Sequence, residues 1–198
     1  VIDKNEHLWL STDGGGITCV DKKWNTLQQF TAGGKNSISH NNVKSICYDE
    51  KKNCLYIGTY LGGLSRYDLN TGRFYYWKEE SHSSDMPDEI VYHVKIWKDQ
   101  IYISAHNGFF RLDTQTQKFH RINIPFAFYE HFDIDAEGNL YMVGWKNVLC
   151  THVEHPESIV YVPLAEGDSK ATPTRVLATS DGVYIGTLGM GLFFYDRQ

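Results

Sequence analysis

The chain is short of cysteine, of proline and of long apolar runs, and each shortage removes a class of protein. Its four cysteines, Cys19, Cys47, Cys54 and Cys150, form no Cys-x-x-Cys pair and no cysteine-histidine spacing of the zinc-binding kind, so the usual structural metal sites are excluded. No stretch approaches the roughly 18 apolar residues of a membrane span. The opening Val1-Ile2-Asp3-Lys4-Asn5 also lacks the basic-then-apolar layout of a signal peptide, and any export signal or anchor is expected outside this sequence. Acidic residues outnumber basic ones 24 to 19, giving a formal charge of −5. With no basic cluster, neither nucleic acid nor direct membrane contact is expected. Apolar positions never keep a 3.6-residue period for three turns, so no helix is predicted. What is present is apolar and aromatic: 41% hydrophobic and 14% aromatic residues, enough for a core and too much for a disordered chain.

One five-residue pattern, aliphatic, aromatic, aliphatic, small, small, recurs along the whole chain. Its copies are Leu8-Trp9-Leu10-Ser11-Thr12, Leu55-Tyr56-Ile57-Gly58-Thr59, Ile101-Tyr102-Ile103-Ser104-Ala105, Leu140-Tyr141-Met142-Val143-Gly144 and Val183-Tyr184-Ile185-Gly186-Thr187. The aromatic positions are 47, 46, 39 and 43 residues apart, the repeat length of a four-stranded propeller blade. A second pattern, glycine followed by an apolar run closed by aspartate, occupies residues 16–21, 63–68, 108–113 and 191–196. It places the aspartate 12, 12, 11 and 12 residues after the aromatic. The fourth copy lacks both the glycine and the aspartate.

Each copy reads as four short antiparallel strands, A to D. In the second copy they are predicted at residues 43–48, 55–59, 64–67 and 73–77, with Asp68-Leu69-Asn70-Thr71-Gly72 as the C-to-D turn. Aliphatic side chains on one face of strand B and aromatic ones on the other imply that both faces are covered, as radial stacking of blades provides. The expected fold is all-β: propeller blades of four antiparallel strands, about four and a half of them, within one partial propeller over residues 1–198. The approximate blades are 1–35, 36–83, 84–125, 126–169 and 170–198. The first lacks a little of strand A and the last lacks strand D, which reads as part of a longer propeller with open edges.

These blades resemble the two-component regulator propeller repeat, whose consensus joins a Leu-Trp-Ile-Gly-Thr strand to Gly-Leu-x-x-Tyr-Asp and a Thr-Gly turn. Residues 53–72 follow it almost throughout. Asn36-Ser37-Ile38-Ser39-His40-Asn41-Asn42-Val43 and Met86-Pro87-Asp88-Glu89-Ile90-Val91 are similar to the family's inter-blade linkers, and residues 147–173 match least. The resemblance implies the periplasmic sensor region of a hybrid two-component regulator of the Bacteroides type. It implies two seven-bladed propellers ahead of a β-sandwich, a span of the inner membrane and a histidine kinase, with an oligosaccharide ligand and signalling through a homodimer.

Propeller ligands usually meet the face made by the B-to-C loops and the linkers. There the sequence offers Tyr60, His106, Trp145 and Lys146 in loops and His40, Asn42 and Arg175 in linkers. Rings flanked by amides and charges suit sugars, whose C–H faces stack on the ring while the hydroxyls demand directed hydrogen bonds; the same aromatics could instead cap the blades. No cofactor and no metal are expected. The segment at residues 133–139 begins like a calcium loop, but it lacks the distal glutamate and sits in a hairpin turn. Without a nucleophile elbow or a His-Glu-x-x-His pair, the segment is expected to be non-catalytic. The alternatives are a propeller lyase or hydrolase acting on polysaccharide or lactone, and a protein interaction platform. If the second A-to-B hairpin turns at residues 50–51, Cys47 faces Cys54 with α-carbons roughly 4.5–5.5 Å apart, a separation that allows a disulfide. Two buried thiols are the other state.

Overall fold

The computed structural model describes residues 1–77, 87–125, 129–145, 147–164 and 171–197. Among these residues every regular element is a strand, and the chain forms two compact units, Val1–His120 and Arg121–Gln198. The first unit opens with a three-stranded sheet of β1 (Leu8–Thr12), β2 (Gly16–Val20) and β3 (Thr26–Phe30). A four-stranded sheet follows, of β4 (Val43–Asp49), β5 (Cys54–Thr59), β6 (Gly63–Asp68) and β7 (Arg73–Trp77). The third sheet contains β8 (Val91–Trp97), β9 (Gln100–Ala105), β10 (Gly108–Asp113) and β11 (Lys118–Ile122), whose last residues cross the division. The second unit holds a four-stranded sheet, β12 (His131–Ile134), β13 (Asn139–Val143), β14 (Val148–His152) and β15 (His155–Val162). Its other sheet is three-stranded: β16 (Thr172–Ala178), β17 (Val183–Leu188) and β18 (Gly191–Tyr195). Every sheet is an antiparallel meander in chain order, so each is one blade.

The repeated residues owe their positions to hairpin chemistry. Thr12, Thr59 and Thr187 close strand B, and each donates its hydroxyl to the carbonyl of the glycine four residues on, at 3.1, 3.0 and 2.9 Å. Those glycines, Gly16, Gly63 and Gly191, hold φ at +75°, +67° and +78°, which a side chain would disfavour. At the far end of strand C, Asp21, Asp68 and Asp113 turn the chain by accepting backbone N–H bonds from the residues that follow. These contacts hold the Asp21 carboxyl below its ordinary range, the Asn25 amide foremost. The Asp113 carboxyl is likewise lowered, through the Gln115 and Thr116 N–H groups. The fourth blade forms β14 and β15 without either signal, and apolar Val148 and Leu149 are fully buried there.

Alternation along strand B builds the seams between blades. Leu55 and Ile57 join Trp9, Ile17, Cys19, Tyr67 and Phe74 between blades one and two, while Cys54 and Tyr56 join Val91, Val94, Ile101 and Ile103 between blades two and three. Tyr141 and Val143 meet Val176, Val183 and Ile185 between the two blades of the second unit. At each of these seams the aromatic faces the following blade and the aliphatics face the preceding one. Each fully buried aliphatic contributes roughly 1.5–3 kcal/mol. The inner strands are joined differently, through side chains that accept backbone N–H groups from the next blade's strand A. Val94 N donates to Ser45 Oγ at 3.1 Å. In the second unit Val176 N donates to His131 Nδ1 at 3.4 Å and Ala178 N to Asp133 Oδ2 at 2.8 Å.

Two expectations are revised. The register of β4 with β5 pairs Cys47 with Tyr56 and Cys54 with Asp49, and all four cysteines are free thiols. A four-residue connection at residues 50–53 replaces the two-residue turn, because Asp49 Oδ1 caps it from Lys52 N and Asn53 takes φ +50°. The first blade shows three strands, and the end of strand A is present as a bridge from Ile2 to Leu8, with Val1 N donating to Trp9 O at 3.0 Å. The turn at residues 135–139 is satisfied internally: Asp135 accepts from Gly138 N, Asn139 N and Asn139 Nδ2, and Arg197 pairs with it at 2.6 Å. Among the described residues no group of ligating side chains fits a metal ion.

Candidate functional site

In the first unit each linker lies between two B-to-C loops. Asn42 bridges to Asp13 of the first blade's loop, and its carbonyl accepts Tyr60 N of the second at 2.9 Å. One blade on, Ile90 bridges to Tyr60 and accepts His106 N at 2.9 Å. The structure therefore gathers four sequence-selected residues, His40, Asn42, Tyr60 and His106, along one line of loops. Within it His40 Nδ1 accepts Asn42 N at 3.1 Å, while Asn42 Oδ1 is buried without a donor.

A β-bulge adds residues that the sequence reading missed. Strand A skips one partner between Val43 and Ser45, between Val91 and His93, and between Pro173 and Arg175, so Lys44, Tyr92 and Thr174 are the extra residues. Each lies beside the loop end of its blade. Lys44 Nζ sits 5.6 Å from the Tyr60 ring centroid, and Tyr92 Oη is 3.4 Å from His106 Nδ1. The third, Thr174, lines a cleft.

That cleft, in the second unit, has a volume of about 610 Å³ and is walled by Glu130, Val143, Gly144, Trp145 and residues 172–174. Its size lies in the range of small-molecule sites. Val143 and Gly144 end strand B, and Trp145 follows with 81% of its surface exposed, its ring available rather than packed. A Cβ on Gly144 would meet Asn147 Oδ1 at 2.9 Å and Tyr129 Cε1 at 3.3 Å, so the glycine is needed where this loop passes Tyr129. Burial raises the Tyr129 phenol to about 12, and the ring stays neutral. Thr174 Oγ1 donates to Gly186 O at 3.2 Å.

Arg175 stands elsewhere. The bulge before it turns its side chain to the open face of the last blade, where it shares a groove of about 380 Å³ with Leu177, Tyr184 and Leu192. Lys146 and Met86 lie outside the described residues. Glu130 and Thr172 carry no motif, and the signal that could have found Lys44, Tyr92 and Thr174 is their shared position at the start of strand A.

No family model matches the chain, and no characterised protein matches it by sequence. Among solved structures it is similar to the extracellular domain of a candidate hybrid two-component system of B. thetaiotaomicron. That match has a TM-score of 0.78 and 18% identity, over 97% of this chain and 26% of the other. A candidate one-component system's extracellular domain from the same organism matches with a TM-score of 0.74 and 17% identity, over 100% of this chain and 27% of the other. A gluconolactonase of Xanthomonas campestris matches with a TM-score of 0.70 and 11% identity, covering 98% and 70%. The chain thus spans about a quarter of the length of the two extracellular domains. It carries the all-β propeller fold that these extracellular domains share, in agreement with the resemblance of its repeats to the two-component regulator propeller family.

Proposed function

We propose that the chain is a non-catalytic part of a ligand-sensing propeller in the periplasmic region of a hybrid two-component regulator. The ligand is an oligosaccharide released from a glycan, and its binding favours one arrangement of a homodimer, which is read across the inner membrane. The observation that carries this reading is the cleft beneath Trp145, an exposed ring beside a carboxylate and two threonines. Likeness to the two extracellular domains supports the sensor class.

The chain would supply about four and a half blades of a seven-bladed propeller. Support comes from the last blade's forward face, where Tyr184, Gly186 and Leu192 occupy the positions of Tyr56, Gly58 and Leu64. In the second blade those three are buried, whereas Leu192, Leu177 and Phe194 are exposed. A following blade would cover them.

The test is a calorimetric screen of oligosaccharides against the intact protein. Binding without turnover is expected, together with a shift in dimer geometry on saturation. The likeness to the gluconolactonase favours a competing reading, and hydrolysis of a lactone or cleavage of a polysaccharide, abolished by His106→Ala, would replace the sensor with an enzyme. Capture of a protein partner without sugar affinity would favour an interaction platform.

A further inference from the structure

We infer that the cleft of the second unit takes an uncharged sugar ring stacked on Trp145 and rejects a ring carrying a carboxylate. This rests on the reading of the chain as a carbohydrate sensor and narrows the ligand by hydrogen-bond chemistry. A pyranose offers an apolar C–H face and a belt of hydroxyls, each able to donate a proton. Trp145, with 81% of its surface exposed beside the cleft, supplies the stacking surface. Glu130 lines the same space, and an ionised carboxylate only accepts hydrogen bonds. Thr174 spends its proton on Gly186 O, so toward the cleft its oxygen also acts as an acceptor. Gly144 N is committed to Asn147 O at 2.9 Å. The described walls are thus mainly apolar, and the few polar side chains on them are mostly acceptors, with the Trp145 indole N–H and the Thr172 hydroxyl as donors. Hydroxyls satisfy such a wall. A uronate brings more acceptors and a negative charge toward Glu130, where like charges repel and unpaired polar groups are penalised.

The alternation of the bulged strand explains why these groups meet. The extra residue at Thr174 puts its side chain toward the cleft while Arg175 turns to the open blade face. A basic side chain that the sequence places beside the site is thereby taken out of it.

The experiment uses the intact protein with four tetrasaccharide probes: malto-, xylo- and manno-tetraose, and tetragalacturonate. Calorimetry gives affinity and tryptophan fluorescence reports the ring. At least one neutral probe should bind and quench fluorescence. Trp145→Ala and Glu130→Ala should each weaken that binding tenfold or more, and Glu130→Gln, which keeps an acceptor, threefold or less. The altered side chains are exposed, and an unchanged urea midpoint checks that each variant folds. Tetragalacturonate binding more tightly than every neutral probe, or no neutral probe binding, overturns the inference. Binding of a neutral sugar that is indifferent to both Trp145 and Glu130 removes the cleft while leaving the sensor reading intact. Turnover of a probe would strike the sensor reading itself.

Discussion

Replacing Gly58 by alanine should drive a wedge into the seam between the second and third blades. An added Cβ would lie 2.6 Å from Val91 Cγ1 and 3.2 Å from Val91 O, and Val91 is fully buried at the start of the facing strand. Gly58 sits mid-ladder at ordinary negative φ, so the strain comes from crowding. Overfilling a packed interior costs about 1–3 kcal/mol, and relief of the glycine's entropy returns about 0.5–1 kcal/mol. The net loss is about 0.5–2 kcal/mol, or a melting point lower by about 1–8 °C for a chain of this size. Val91→Ala removes two methyl groups and alone costs at least ~1.6 kcal/mol. In the Gly58→Ala background it makes room for the new methyl and should cost at least ~1 kcal/mol less. Urea unfolding of the four proteins of this double-mutant cycle measures the coupling. Additivity within ~0.5 kcal/mol, or a neutral Gly58→Ala, would refute the packing argument.

Thr59→Val should destabilise the second blade by about 1–2 kcal/mol, because the fully buried hydroxyl bonded to Gly63 O at 3.0 Å is lost; an unchanged urea midpoint would show that the threonine is dispensable. Asp21 and Asp113 have carboxyls held below the ordinary range in the folded chain. Their stabilisation is therefore complete above about pH 4–5 and drains as the pH falls toward the folded values. Asp21→Asn should flatten the acid limb of a stability-pH profile, and an identical limb would exclude this turn as a contributor. The thiols of Cys19 and Cys54 are pushed up to about 11 by burial first and by nearby carboxylates second. Both should resist a thiol reagent at neutral pH in the native protein, and denaturation without reductant should reveal four reactive groups. A count of two would restore the bridge.

The blades were legible because their signals are local. The pentapeptides mark strand B, and the aspartate turns and β7 at Arg73–Trp77 fall where spacing predicts. The hairpin at residues 50–53 is longer than its composition implies because its length depends on Asp49 accepting from Lys52 N, a contact that competes with a tighter turn on equal compositional terms. The loop site was legible by half. Tyr60 and His106 sit at fixed distances from the repeat, and the structure lines them up with His40 and Asn42. Arg175 falls in a linker by its position in the repeat, yet one unpaired residue ahead of it turns it to the groove beside Leu177 and Leu192. Glu130 and Thr172 come from the stretch least like the repeat, and their meeting with Trp145 depends on how two blades stack, which no spacing records.

The bulge at the head of strand A has a consequence for how such a protein could change its ligand. Lys44, Tyr92 and Thr174 stand outside the one-to-one ladder of their sheets, while the residues on either side keep their partners. The three differ as much as side chains can, a cation, a phenol and a small alcohol, and the strands that carry them pair alike. In these three blades one variable letter thus stands apart from the pairing that holds the strands together. Exchanging Lys44 and Tyr92 between their blades should redraw the recognition surface with little change in melting temperature, whereas Thr174 also ties its hydroxyl to Gly186 O.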